Sequence, residues 1–218
     1  LAGGVPVVVD TDPENAFKMT AEQMKAAITD KTKAMMLNTP VNPTGVLYSR
    51  EELQALADVA VAADILVIAD EIYEEFVYDG NKMVSIASLG EAIKNNTILV
   101  NGFSKTYAMT GWRLGYAAAP ADIIAGMKRI QGHTISHPST ITQYAGITAL
   151  EEKGEVVNEI IRIFDERRRA MMARLDKISQ LSYIYPQSTF DIFVDISQVI
   201  EDNRYGTASG YEFSQRLL

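Results

Sequence analysis

Four polar clusters in this chain could do chemistry together. They are Asn42 in "NTPVNPTGVLY", Asp70 and Tyr73 in "VIADEIYEEFVYDG", Ser104 with Lys105 in "NGFSKTY", and Arg113 in "MTGWRLGY". Each alone has an ordinary explanation. Asn42-Pro43-Thr44-Gly45 is a turn sequence. Asp70 closes an apolar run and could cap a helix or pair with a cation, because burying an unpaired carboxylate is costly. Tyr73 could serve packing, Lys105 could be a solvated surface lysine, and the guanidinium of Arg113 could stack on an aromatic ring. Taken together they suit one chemistry. A lysine amine placed so that its proton is easily lost forms a Schiff base with an aldehyde. An acid opposite a pyridine nitrogen keeps that ring protonated and makes it an electron sink. A phenol and an amide can hydrogen-bond a ring oxygen, and an arginine near a helix start can grip a phosphate. That set of groups describes a site for pyridoxal phosphate.

The elements that must position these residues follow an alternating pattern. Val5 to Asp10 reads as a strand. Thr20 and Gln23 form a capping-box pattern that opens a helix to about Ile28. "KAMMLNTP" is a strand entering the Asn42 loop. Ser49 and Glu52 are a second capping pair, opening a helix to about Ala63. "ILVIAD" is wholly apolar until its final acid, as strands buried on both faces of a parallel sheet are. Glu91 to Asn95 reads as a short helix, and "TILVNG" and "RLGYAAAP" as further strands. The candidate residues fall at or just beyond the carboxyl ends of strands, the edge where open parallel sheets bind ligands. The fold class is therefore α/β, a mostly parallel sheet with flanking helices. After Pro120 the pattern changes. Helices are expected over Ala121 to Gln131, Thr140 to Glu152 and Glu155 to about Lys177, then strands in "LSYIYP" and "FDIFVDIS", then an amphipathic helix in "YEFSQRLL". This divides the chain into a large domain over 1–150 and the first part of a smaller α+β domain over 151–218.

Composition narrows the partners. With 218 residues and 47% hydrophobic content the chain can bury a sizeable core. A formal net charge of −8 argues against a nucleic-acid partner, since phosphate neutralisation needs a basic face. No run approaches a membrane span and the first residues do not form a signal peptide, so a cytoplasmic location is expected. The chain has no cysteine, which excludes disulfides and thiolate metal sites. His133 and His137 are separated by β-branched residues and followed by Pro138, so no metal site is expected there. There is no Walker loop, GxGxxG or GxSxG pattern. Both ends read as cut from a longer protein.

"NTPVNPTGVLY", "VIADEIYEEFVYDG" and "NGFSKTYAMTGWRLGYAAAP", in this order, resemble the class I and II aminotransferases, the aspartate aminotransferase fold type of pyridoxal phosphate enzymes. Weaker resemblance extends from "GGVPVVV" through "HPSTITQYAGITAL" to "FDIFVDIS". The resemblance implies a transaminase acting on an amino acid and a 2-oxo acid, with a homodimer as the working assembly. It implies that Lys105 holds the cofactor and moves the proton, that Asp70 pairs with the pyridine nitrogen, that Asn42 and Tyr73 contact the ring oxygen, and that Arg113, with Ser104 nearby, binds the phosphate. Many members carry a serine three residues before the lysine, where this chain has Gly102. The resemblance also implies that the stacking aromatic, a phosphate-binding helix and the carboxylate-gripping arginine lie outside this stretch. The sheet is then expected to be incomplete and to expose apolar surface, with Lys105, Asp70, Tyr73 and Arg113 converging on one cleft. Two other readings keep the fold: a carbon–sulfur lyase, and a ligand-sensing domain of a transcription regulator.

Overall fold

A computed structural model describes residues 3–202 and 206–218. Its centre is a four-stranded sheet made of β1 (Ala34–Asn38), β2 (Leu66–Asp70), β3 (Thr97–Gly102) and β4 (Gly115–Ala118), lying side by side in that order. The first three strands are parallel and β4 runs antiparallel to β3. Helix α1 (Ala21–Ala27) precedes β1, α2 (Arg50–Ala62) connects β1 to β2, and α3 (Glu91–Asn95) precedes β3. Both expected capping boxes are present. Thr20 accepts from Gln23 N and Ser49 accepts from Glu52 N, while the Gln23 and Glu52 side chains reach back to the cap backbone. Each box satisfies two backbone donors that the first helical turn leaves without partners.

One face of the sheet is dry. Leu37, Val67 and Ala69 point to it and pack with Leu53, Leu56, Ala57 and Ala60 of α2 and with Ile86 and Ile93. Because side chains alternate along a strand, Met36, Ile68 and Val100 face the other way. On that side Met36 is 78% exposed and Val100 is exposed as well. Residues 5–10 are not a strand. They are irregular and mostly exposed, with no ladder partner among the described residues. Their β-branched content satisfies strand propensity, but a strand exists only where a neighbour takes its N–H and C=O groups.

Beyond β4 the chain forms α4 (Ala121–Thr134), α5 (Thr140–Glu151) and the long α6 (Lys153–Leu175). The two strands expected next shrink to residue pairs, β5 (Ser182–Tyr183) and β6 (Val194–Asp195), which pair antiparallel. Helices α7 (Ser197–Glu201) and α8 (Gly210–Leu217) follow. The shortening has a cause. Residues 186–189, between β5 and β6, bond instead to the loops that follow β1 and β2. Tyr78 N donates to Gln187 O, Thr189 N to Phe76 O, and Ser188 N to Gly45 O. Gly45 has φ 70, and a Cβ there would sit 2.8 Å from Cβ of Pro186, so both the backbone and the close approach require glycine. Among the described residues no helix is long and apolar enough to cross a membrane.

Candidate functional site

Register aligns the carboxyl ends of the parallel strands, with Asn38 beside Asp70 and Asp70 beside Val100. Asn38 ties two of these ends together. Its Nδ2 donates to the Asp70 carbonyl at 3.2 Å, and its Oδ1 accepts from Asn42 N at 2.8 Å. The Asn42 loop is thereby fastened over the end of β2. Asp70 Oδ1 accepts from Ile72 N at 3.1 Å, which turns the chain sharply and sends Tyr73 into the interior.

Tyr73 is buried. Its ring meets Phe190 edge-on at 5.2 Å and Phe76 at 6.1 Å. Asn42 Nδ2 donates to the Tyr73 hydroxyl at 3.1 Å and to Asp191 Oδ2 at 2.9 Å. The amine of Lys105 lies 5.4 Å from the Tyr73 ring centre and 5.1 Å from that of Phe190, within cation–π range of both. Burial pushes the Asp191 carboxyl above the usual aspartate range, and the charge of Lys105 partly offsets this. Asn42, Tyr73, Lys105, Phe190 and Asp191 therefore form one cluster.

The lysine is presented by a tight turn after β3, in which Tyr107 N donates to Phe103 O and Ala108 N to Lys105 O. Half-buried Ser104 sits in the same turn. Gly102, three residues before Lys105, is packed against β4. A Cβ added there would stand 3.0 Å from the Leu114 carbonyl oxygen and 3.2 Å from Cα of Gly115. Phe103 N donates to Leu114 O, so the Arg113 turn runs alongside the Ser104–Lys105 turn. Arg113 itself is exposed, follows a short 3₁₀ turn at Thr110–Trp112, has φ 54, and donates through Nη1 to Thr110 O at 2.9 Å. Of the residues expected from sequence, the structure brings Asn42, Tyr73 and Lys105 into one group. Asp70 stands at the same sheet edge with one oxygen engaged in its turn. Arg113 lies on the neighbouring turn with its guanidinium on its own backbone.

Three members of the site were not anticipated: Asn38, Phe190 and Asp191. Asn38 was visible as a polar residue closing an apolar strand. Phe190 and Asp191 gave no such signal, since "FDIFVDIS" alternates like an ordinary strand. What delivers them is an anchor on the far side. Arg168 of α6 is buried, donates to Pro186 O at 2.7 Å, pairs with Asp79 at 2.8 Å and Asp165 at 2.6 Å, and lies 4.5 Å from the Tyr78 ring centre. Tyr78 closes the arrangement by donating to Thr189 O at 2.6 Å. Next to Asp70, Glu71 is fully buried and accepts from Ser85 Oγ at 2.6 Å. Burial pushes its carboxyl up to about 7, partly offset by the Ser85 hydrogen bond.

A family model described as aminotransferase class I and II matches residues 1–218. The aspartate aminotransferase of Bacillus sp. (strain YM-2) is 44% identical over all of this chain and 55% of its own length. The aromatic-amino-acid aminotransferase 2 of Thermococcus litoralis is also 44% identical, over all of this chain and 54% of its own. The crystal structure of the aromatic aminotransferase from Pyrococcus horikoshii OT3 superposes with a TM-score of 0.84 at 42% identity, covering 88% of this chain and 52% of that one. The chain thus spans about half the length of the relatives it matches. With fold, motifs and whole-chain family match in agreement, the chain belongs to the class I and II aminotransferases.

Proposed function

We propose that this chain carries the lysine-bearing half of a pyridoxal-phosphate-dependent aminotransferase that moves an amino group between an amino acid and a 2-oxo acid. The observation that carries the reading is the grouping of Asn42, Tyr73 and Lys105 at the carboxyl edge of the sheet. The donor set fits the cofactor: an amine between two aromatic rings, a phenol and an amide already bonded to one another, and an acid at the adjoining strand end. Lys105 would anchor the cofactor, Asn42 and Tyr73 would hold its ring oxygen, Asp70 its ring nitrogen, and Arg113 with Ser104 its phosphate. When bound, pyridoxal phosphate supplies an electron sink for the bonds at the substrate's α-carbon. Lys105, held over the Tyr73 and Phe190 rings, is the group available to take the α-proton and return it. A guanidinium has five N–H donors and the bond to Thr110 O occupies one of them, so the rest of the Arg113 fork is available to a phosphate.

An aspartate aminotransferase and an aromatic-amino-acid aminotransferase match this chain at equal identity, so likeness to them does not choose the substrate side chain. The working assembly is proposed to be a homodimer in the cytoplasm, with a large domain over 1–150 and a small one over 151–218, the latter sending residues 186–191 into the site. The test is a screen of amino-acid and 2-oxo-acid pairs with the protein that carries this chain. Amino transfer that disappears in Lys105→Ala supports the reading. Transfer that survives that substitution at near-parent rate rejects it.

A further inference from the structure

Two cations lean on two stacked rings beside the site. The rings of Phe164, on α6, and Phe190 stack at 5.3 Å with a tilt of 30°. The Arg167 guanidinium lies over Phe164 at 5.3 Å, and the Lys105 amine lies over Phe190 at 5.1 Å. A lysine head sits at the end of a flexible four-carbon stem, so it is placed by what it touches. Among the described residues the Lys105 amine makes no hydrogen bond or ion pair, and the rings of Tyr73 and Phe190 are what it rests against. Tyr73 is buried, which sets its ring. Phe190 is 39% exposed, so its ring is set by neighbouring rings instead. Tyr73 and Phe76 meet it edge-on at 5.2 Å and 5.7 Å, and Phe164 is the neighbour that stacks on it.

We infer that Phe164 is a positioning residue for Lys105, acting through the Phe190 ring on which the amine rests. Its own place is well determined. Ile160, Ile161 and Phe164 share one face of α6 and pack against the buried cluster of Tyr73, Phe76 and Tyr78. Phe164 also meets Phe76 edge-on at 5.4 Å. Paired aromatic rings attract one another beyond the area they bury, so removing one ring frees the other as well as leaving a gap. The long helix is thereby coupled to the amine through two side chains. The use of that amine in amino transfer rests on the cofactor reading. The contact itself is a property of the chain and can be measured without cofactor.

The experiment measures how fast Lys105 is methylated by formaldehyde and cyanoborohydride at one fixed pH, in the protein that carries this chain, freed of cofactor. Peptides are counted by mass spectrometry, with Lys94 as the internal reference, since it precedes β3 where Lys105 follows it. Phe164→Leu keeps the apolar bulk and removes the ring. Labelling of Lys105 should speed up about two- to fivefold, the worth of a cation–π contact at an exposed site. Phe164→Tyr keeps the ring and should label at the parent rate. Phe190→Leu should also speed labelling, and adding Phe164→Leu to it should change nothing more, because the effect passes through Phe190. Val157→Ala trims a buried residue of the same helix that is not a ring, and should leave the rate as it was. A parent-like rate in Phe164→Leu, a faster rate in Phe164→Tyr, a further rise in the double variant, or an equal rise in Val157→Ala overturns the inference. Where the cofactor attaches is a separate measurement, and it stands or falls without this one.

Discussion

Arg168 Nη1 donates to the carbonyl oxygen of Pro186 at 2.7 Å, and through that bond the long helix α6 holds the segment that brings Phe190 and Asp191 to Lys105. The guanidinium is almost wholly buried, with Asp79 and Asp165 as its counter-charges and Tyr78 and Tyr185 against its faces. Taking away one member of such a group strands the others. Arg168→Ala is expected to cost about 3–5 kcal/mol, read by chemical denaturation. Arg168→Lys should recover only part of this, because an ammonium cannot serve Pro186, Asp79 and Asp165 through one planar fork. A loss under about 1 kcal/mol in Arg168→Ala would mean that the segment is held by its hydrogen bonds to Gly45, Phe76 and Tyr78 without the arginine.

Glu71 makes stability depend on pH in a direction opposite to most carboxylates. Its folded value of about 7 lies above the ordinary 4.5, with burial the main cause. Below 4.5 the group is neutral in both folded and unfolded chains and costs nothing. As pH rises from 4.5 to about 7 the unfolded chain ionises first, so stability falls by about 1.4 kcal/mol for each unit of separation. Above about 7 the loss is complete. Glu71→Gln keeps an acceptor for Ser85 and has nothing to ionise. The stability difference between the variant and its parent should therefore grow in the variant's favour across that window and level off above it. A difference that stays constant from pH 4.5 to 7 would contradict this.

The turn contact of Asp70 and its proposed cofactor role can be separated. Its Oδ1 holds the turn at Ile72, and the cofactor reading also gives it the ring nitrogen. Asp70→Asn keeps an acceptor for the turn and loses the charge. Turnover should fall by orders of magnitude while thermal stability and cofactor affinity change little, because stabilising a protonated ring matters most in the transition state. If turnover stays near the parent value, Asp70 is a turn residue and nothing more.

Local signals made the centre of the fold legible. Thr20–Gln23 and Ser49–Glu52 announce α1 and α2, and the apolar runs ending at Asn38, Asp70 and Gly102 announce three parallel strands. These features are decided within a few residues, so they survive in the sequence. Val5 to Asp10 misled for the same reason: strand propensity is local and pairing is not. The stretch "FDIFVDIS" alternates as a strand should, yet the pull of Gly45, Phe76 and Arg168 on residues 186–189 leaves only Val194–Asp195 in a ladder. The site divides in the same way. Asn42, Tyr73 and Lys105 belong to recognisable turns after strands, whereas the partnership of Asn42 with Asp191 joins residues 149 apart. No spacing rule reaches that far.

The central claim is that Lys105, between the rings of Tyr73 and Phe190, is where the cofactor attaches. The most direct measurement is to bind pyridoxal phosphate to the protein that carries this chain, reduce the adduct with borohydride, and map the modified peptide by mass spectrometry. The account predicts a single pyridoxyl group on Lys105, absent in Lys105→Arg. A label that falls on another lysine, or that is unchanged in Lys105→Arg, contradicts it.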